Sequence, residues 1–234
     1  MHARSAAVVS LILALTLTFV AKVAAQDNKA PYPSMAPLDQ YIMADRNAEI
    51  ALARTAAPED ISRDATVLVM GRRGYETAVE GKNGFVCLVE RAWMAPFESP
   101  EFWNPKNRSP VCYNPAGSRS VLPLTKMRTE MVLAGLSEEQ IIEKLKAAKA
   151  KKEFPPLEPG GMAYMMSKQA YLTDRDDHNV AHVMFFIPST DAASWGANVP
   201  QSPIILLQQD PIAAITTFMI PVGRWSDGTA APYM

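Results

Sequence analysis

Residues 65–90, ATVLVMGRRGYETAVEGKNGFVCLVE, carry the reading that decides the fold class. Ala65–Met70 is a continuous run rich in apolar and β-branched side chains, as expected of a strand covered on both faces. Gly71 to Gly74 then makes a turn with Arg72 and Arg73 at its tip. After it, Tyr75, Thr77 and Val79 alternate with Glu76, Ala78 and Glu80, the period-two pattern of a half-exposed strand. Lys82-Asn83-Gly84 precedes a third run, Phe85–Glu90, and Asn-Gly between apolar runs is a strong short-range hairpin signal. The whole stretch therefore reads as a three-stranded antiparallel meander.

Working outward, Pro37–Ala56 has apolar residues at three- and four-residue spacings and reads as a helix stopped by Pro58. Residues 92–123 break every regular pattern. Pro96, Pro100, Pro105, Pro110, Pro115 and Pro123 recur through them, a density at which no strand or helix is expected. Trp93, Phe97, Phe102, Trp103 and Tyr113 argue against disorder, so the segment reads as a long ordered loop lying over the sheet. Two helices follow, Thr125–Leu136 and one running from a capping box at Ser137–Gln140 to about Lys152. The lysines of the second form a solvated face. Met162–Met166, Val180–Ile187, Ile204–Gln208 and Ala213–Ile220 complete the strands. Strands grouped in blocks rather than alternating with helices imply an α+β fold. The expectation is a mostly antiparallel sheet of six or seven strands, with three helices and one long Pro/aromatic-rich loop.

The first residues bear on compartment. His2 and Arg4 precede an apolar run from Ala6 to Ala21, and Val23-Ala24-Ala25 offers small residues at a cleavage site before Gln26. Residues 1–25 are read as a cleaved signal peptide, 26–35 as a flexible lead-in, and 36–234 as a single domain. The run is shorter than the ~20 apolar residues of a membrane-spanning helix, and nothing later approaches that length. Removing 25 of 234 residues leaves 209, and losing Arg4 and Lys22 takes the net charge from −1 to −3. Such a chain has no global field for a phosphate backbone, so nucleic acid is not expected as a partner. Export to a periplasm or beyond the cell also puts Cys87 and Cys112, the two cysteines, where disulfides persist. A bridge between them would stabilise the fold by about 3.5 kcal/mol through loop entropy.

Catalytic signatures are sparse. The chain contains no HExxH, no G-x-S-x-G, no S-x-x-K and no CxxC. The glycine spacing before Lys82 does not match a phosphate loop. Asp174–Asp177 begins a stretch that lacks the glycine and terminal glutamate of a calcium loop. After loss of His2, His178 and His182 are the only imidazoles, so histidine chemistry would have to use them. With Asp176 or its neighbours Asp174 and Asp177 they would offer ligands to a divalent metal, provided the chain at His178 folds back. Otherwise the Cα atoms of residues four apart along a strand stand about 13 Å from each other. The plainer reading gives one histidine in a solvated loop and one in a strand with a single hydrogen-bond partner. Methionines near these imidazoles suggest copper by ligand softness, but in strands they more often fill cores. Arg72-Arg73 and Glu90-Arg91 would suit an anionic ligand, or would simply be solvated.

Two functional expectations follow. The first is an exported, non-catalytic protein that binds a small ligand or an envelope or extracellular partner. Trp93, Phe102, Trp103 and Tyr113 would wall the pocket with Arg91 beside them. The same aromatics would serve equally as the loop's own core. The second is a hydrolase, with or without metal, using His182, His178 and a nearby Asp.

Overall fold

In the computed structural model, which describes residues 31–174 and 179–232, the first hairpin of the meander forms as expected. β1 (Thr66–Gly71) and β2 (Gly74–Val79) pair antiparallel and close at Gly71 and Gly74. The third strand departs from the meander. β3 (Val86–Glu90) pairs with β1, in parallel, through Thr66–Val86 and Val67–Cys87. The Asn-Gly segment is therefore not a hairpin turn. It carries the chain across the entrance of β1, where Asp64 O accepts from Lys82 N at 2.9 Å and Thr66 N donates to Phe85 O at 2.9 Å. Gly81 sits at the crossing: a Cβ there would overlap Thr66 N and the Ala65 carbonyl carbon and lie 2.7 Å from Asp64 O. Burial explains the order. β1 is buried along its middle and belongs between two strands, whereas β2 exposes Glu76 and Thr77 and belongs at the edge. The turn signal specifies a reversal but not the neighbour.

Five further strands complete the sheet: β4 (Ser109–Tyr113), β5 (Met162–Met165), β6 (His182–Pro188), β7 (Ile205–Asp210) and β8 (Ile215–Pro221). The order is β2-β1-β3-β4-β5-β6-β8-β7, antiparallel throughout except for β1 and β3. The fold is α+β, with eight strands rather than six or seven. It has five α-helices among the described residues rather than three: α1 (Arg46–Arg54), α2 (Glu59–Ser62), α3 (Pro115–Ser120), α4 (Leu122–Leu133) and α5 (Glu138–Ala150).

The added elements lie mostly inside residues 92–123, where no regular structure was expected. β4 tolerates Pro110 because of register. The Cα atoms of Cys87 and Cys112 stand 4.0 Å apart, the close spacing of a pair that exchanges no ladder hydrogen bonds. Pro110, two residues away, shares that orientation, so its missing N–H faces away from β3. On that side β5 pairs only with Cys112 and Tyr113, and the proline deprives nothing. Pro115 and Pro123 fall in the first turns of α3 and α4, where an absent N–H costs nothing. The helix expected over 37–56 divides into a 3₁₀ turn at Leu38–Gln40 and α1, because Asp45 accepts from Asn47 N and Ala48 N and starts a new helix. The capping box at Ser137 and Gln140 forms as read.

The two faces of the central strands are covered differently. α1 lies on one, over Val67, Cys87, Val89 and Cys112, and the disulfide between Cys87 and Cys112 is part of that layer. On the other face Leu68, Leu88, Val111 and Tyr113 pack with Val121, Leu122 and Val132 of the α4 region and with Trp93 and Phe102 of the loop. Among the described residues no helix is long and apolar enough to cross a membrane. The leader read over 1–25, and residues 26–30 of the lead-in read over 26–35, lie outside the described residues.

Candidate functional site

Glu90 ends β3 and Arg91 follows it, and the two project to opposite faces of the sheet. Arg91 is buried against α1, where its guanidinium is fully engaged. Nη2 donates to Glu49 at 2.7 Å, Nε donates to Tyr41 O at 2.7 Å, and Nη1 donates to Val89 O. Glu49 also accepts from Met70 N. Every charge here has its partners, as a buried ion pair requires. The solvated reading of Arg91 fails, since the Glu49 carboxylate has replaced water around it. Arg72 does stay exposed, at the surface beside Asp39.

Glu90 faces the other way, into a cavity of about 370 Å³. The sheet supplies its floor with Tyr113, Met184, Phe186 and Thr217, and α4 supplies a wall with Leu124, Thr125 and Arg128. Residues 94–109 of the loop close the third side. At the rim, β7 bulges between Leu206 and Gln208, which leaves Leu207 unpaired and 46% exposed beside the opening. This is a concave, mainly apolar site of ligand size with few polar groups.

Those polar groups are perturbed. Glu90 is 8% exposed, and its Oε1 accepts from Tyr113 Oη at 2.6 Å and from Thr125 Oγ1 at 3.4 Å. Among the described residues its Oε2 has no hydrogen-bond partner. Burial pushes the Glu90 carboxyl above its ordinary pKa, and the two hydroxyl donors only partly offset this. Burial and the neighbouring Glu90 raise the Tyr113 phenol well above its ordinary value. Arg128 is pulled down to about 10 by burial. Its Nη2 donates to Ala95 O at 2.7 Å, and its Nε has no hydrogen-bond partner among the described residues. The guanidinium lies 4.0 Å over the Phe97 ring and 5.2 Å from the Phe102 ring, and aromatic faces hold the charge there.

The aromatic loop residues singled out in the sequence divide between packing and lining. Trp93 is fully buried against Tyr41, with ring centroids 5.0 Å apart, and donates to Thr129 at 3.1 Å. Phe102 and Trp103 meet edge to face at 4.6 Å. These three form the loop's own core and do not line the cavity. Tyr113 does line it, and Arg91 borders it with its charge turned away. Sequence reasoning missed Thr125 and Arg128, and named Glu90 only with Arg91, as a pair that would suit an anionic ligand or be solvated. A signal for the α4 pair was present: the buried stripe of that helix, Leu122, Thr125, Arg128, Thr129 and Val132, is more than half polar. A helix that buries polar groups along its inward stripe is building something other than core.

Of the two histidines only His182 is described, and it is not brought into this site. His182 is buried in β6, with Nδ1 2.6 Å from Val180 O, and burial lowers its pKa. It is not among the cavity's walls. His178 and Asp176 lie outside the described residues. Among the described residues no group of three or more His, Cys, Asp or Glu is placed to hold a metal ion.

Fold and site together define an α+β sheet protein with a disulfide-pinned core and an ionisable cavity beneath a proline-rich loop. Comparison with protein-family models, curated protein sequences and solved structures found no match to this chain.

Proposed function

We propose that this is an exported small-ligand-binding protein whose site is the cavity bounded by β3, β4, β6, β8, α4 and the 94–109 loop. The observation that supports it most is Glu90, a buried carboxyl that leaves one oxygen unpaired toward a space large enough for a small molecule. A native core would ordinarily satisfy or replace such a group. Perturbed ionisable groups on the wall of an apolar cavity are what a functional site needs and make the cavity a candidate for one. The disulfide fits an oxidising compartment, and export belongs to the proposal.

A thermal-shift screen of the purified protein against a fragment library tests the reading. Fragments that raise the melting temperature should lose their effect in Thr217→Trp, which fills the cavity from its floor while leaving the α1 face untouched. Retention of every hit by a folded Thr217→Trp protein would place binding elsewhere. The hydrolase reading gains no support from this geometry, because His182 stands apart from the cavity and engages a backbone carbonyl.

A further inference from the structure

Resting on the small-ligand reading, we infer that the cavity selects a small organic cation, an amine with an apolar body, and that Glu90 is its counter-ion. The charge balance of the walls points this way. Glu90, Glu101 and Asp210 all border the space, and Arg91, which also borders it, is neutralised by Glu49. Arg128 is therefore the one guanidinium left to offset three carboxylates among the described lining residues. It is already committed to Ala95 O and to the rings of Phe97 and Phe102. An anionic ligand would have to compete for that guanidinium while facing the carboxylates. A cation meets the unpaired Glu90 Oε2 directly.

The surroundings of Glu90 suit an alkyl- or arylammonium group. Tyr113, whose hydroxyl anchors Glu90, stacks on Phe186 with ring centroids 5.8 Å apart, and both rings line the cavity. Aromatic faces beside a carboxylate favour the carbon-bound hydrogens of a cation as well as its charge. Met94, Met165 and Met184 add deformable, polarisable walls for the apolar body. The volume of about 370 Å³ falls in the ~300–1,000 Å³ range of small-molecule sites.

Isothermal titration of the purified, disulfide-bonded protein with hexylamine, hexan-1-ol and hexanoate decides the matter, since the three share one alkyl chain and differ in charge. Hexylamine should bind tightest, and Glu90→Gln should weaken it about tenfold, the scale of a lost charge-assisted hydrogen bond. Hexan-1-ol should bind both proteins alike. A preference for hexanoate, parity of amine and alcohol, or unchanged hexylamine affinity in folded Glu90→Gln would overturn the cation while leaving the ligand cavity standing. Should Glu90→Gln not fold, the amine-over-alcohol affinity ratio in the unaltered protein decides between the same outcomes. If none of the three binds and the fragment screen is also empty, the cavity reading falls with the cation.

Discussion

Two consecutive residues, Glu90 and Arg91, show how the two faces of one sheet have been put to different uses. On the α1 face Arg91 is surrounded by acceptors and the packing is closed, with Cys87, Val89 and Cys112 in the same layer. On the α4 face Glu90 has two hydroxyls on one oxygen, and the other oxygen faces open space. A buried charge is not by itself a sign of a site. What separates the cases is whether the charge has a counter-charge: Arg91 and Glu49 neutralise each other, whereas among the described residues no cation is paired with Glu90, and an unpaired charge in low dielectric costs far more than a paired one. The closed face holds the fold, and the open face carries the cavity proposed as the ligand site.

The sharpest way to break the comparison is to unpair the closed face. Arg91→Met should destabilise the protein by about 3–5 kcal/mol in urea unfolding, because Glu49 is left charged and buried. The double variant Arg91→Met with Glu49→Leu should recover much of the loss. If the double variant is no better than the single one, the cost lies in packing rather than in an orphaned charge. Next in size is the disulfide. Replacing Cys87 and Cys112 with alanine should cost about 3.5 kcal/mol by the loop-entropy argument for a 25-residue separation.

The open face should respond in the opposite direction. Burial raises the folded-state pKa of Glu90, so between its ordinary and its raised value the folded protein holds a proton that the unfolded chain has lost. Stability therefore falls as pH rises from about 4.5 through the raised value. Glu90→Gln should remove that fall and leave the protein more stable at pH 7 than the unaltered one. Denaturation midpoints from about pH 4 to 8 read this directly, and a variant curve parallel to that of the unaltered protein would refute it. The smallest effect belongs to the surface. Arg72→Ala removes an ion pair with Asp39 whose side chains are both mostly exposed, and should change stability by less than about 0.5 kcal/mol.

Much of the architecture was legible in the residues because burial leaves a periodic trace. Seven of the eight strands and the capping box at Ser137 follow from it, and the two cysteines of a chain read as exported pointed to the disulfide. The meander was misread because an Asn-Gly turn encodes a reversal locally, while strand order is set by which strand must be covered on both sides. β4 was hidden by Pro110, a residue that bars strands in general but not where its missing N–H faces an unpaired edge. The site was the least visible. Glu90 looked like the polar end of a strand, and Arg128 and Thr125 looked like the polar face of a helix. Only the packing of α4 over the sheet turns all three inward. The loop aromatics were correctly seen as ordered, yet Phe97 and Phe102 hold Arg128, Trp93 packs on Tyr41, and none of the three is arranged as a wall for a guest.

The central claim, that the α4 face of the sheet encloses a guest-sized space while the α1 face does not, is tested most directly by methyl NMR of the methionines during a hexylamine titration. Met94, Met165 and Met184 border the cavity, whereas Met166, the residue after Met165, is buried on the other side with Ala181 and Ala231, its N–H donated to Ala56 O. The account requires the three to shift together and saturate while Met166 stays still. Shifts at Met166 with the other three unmoved would contradict it.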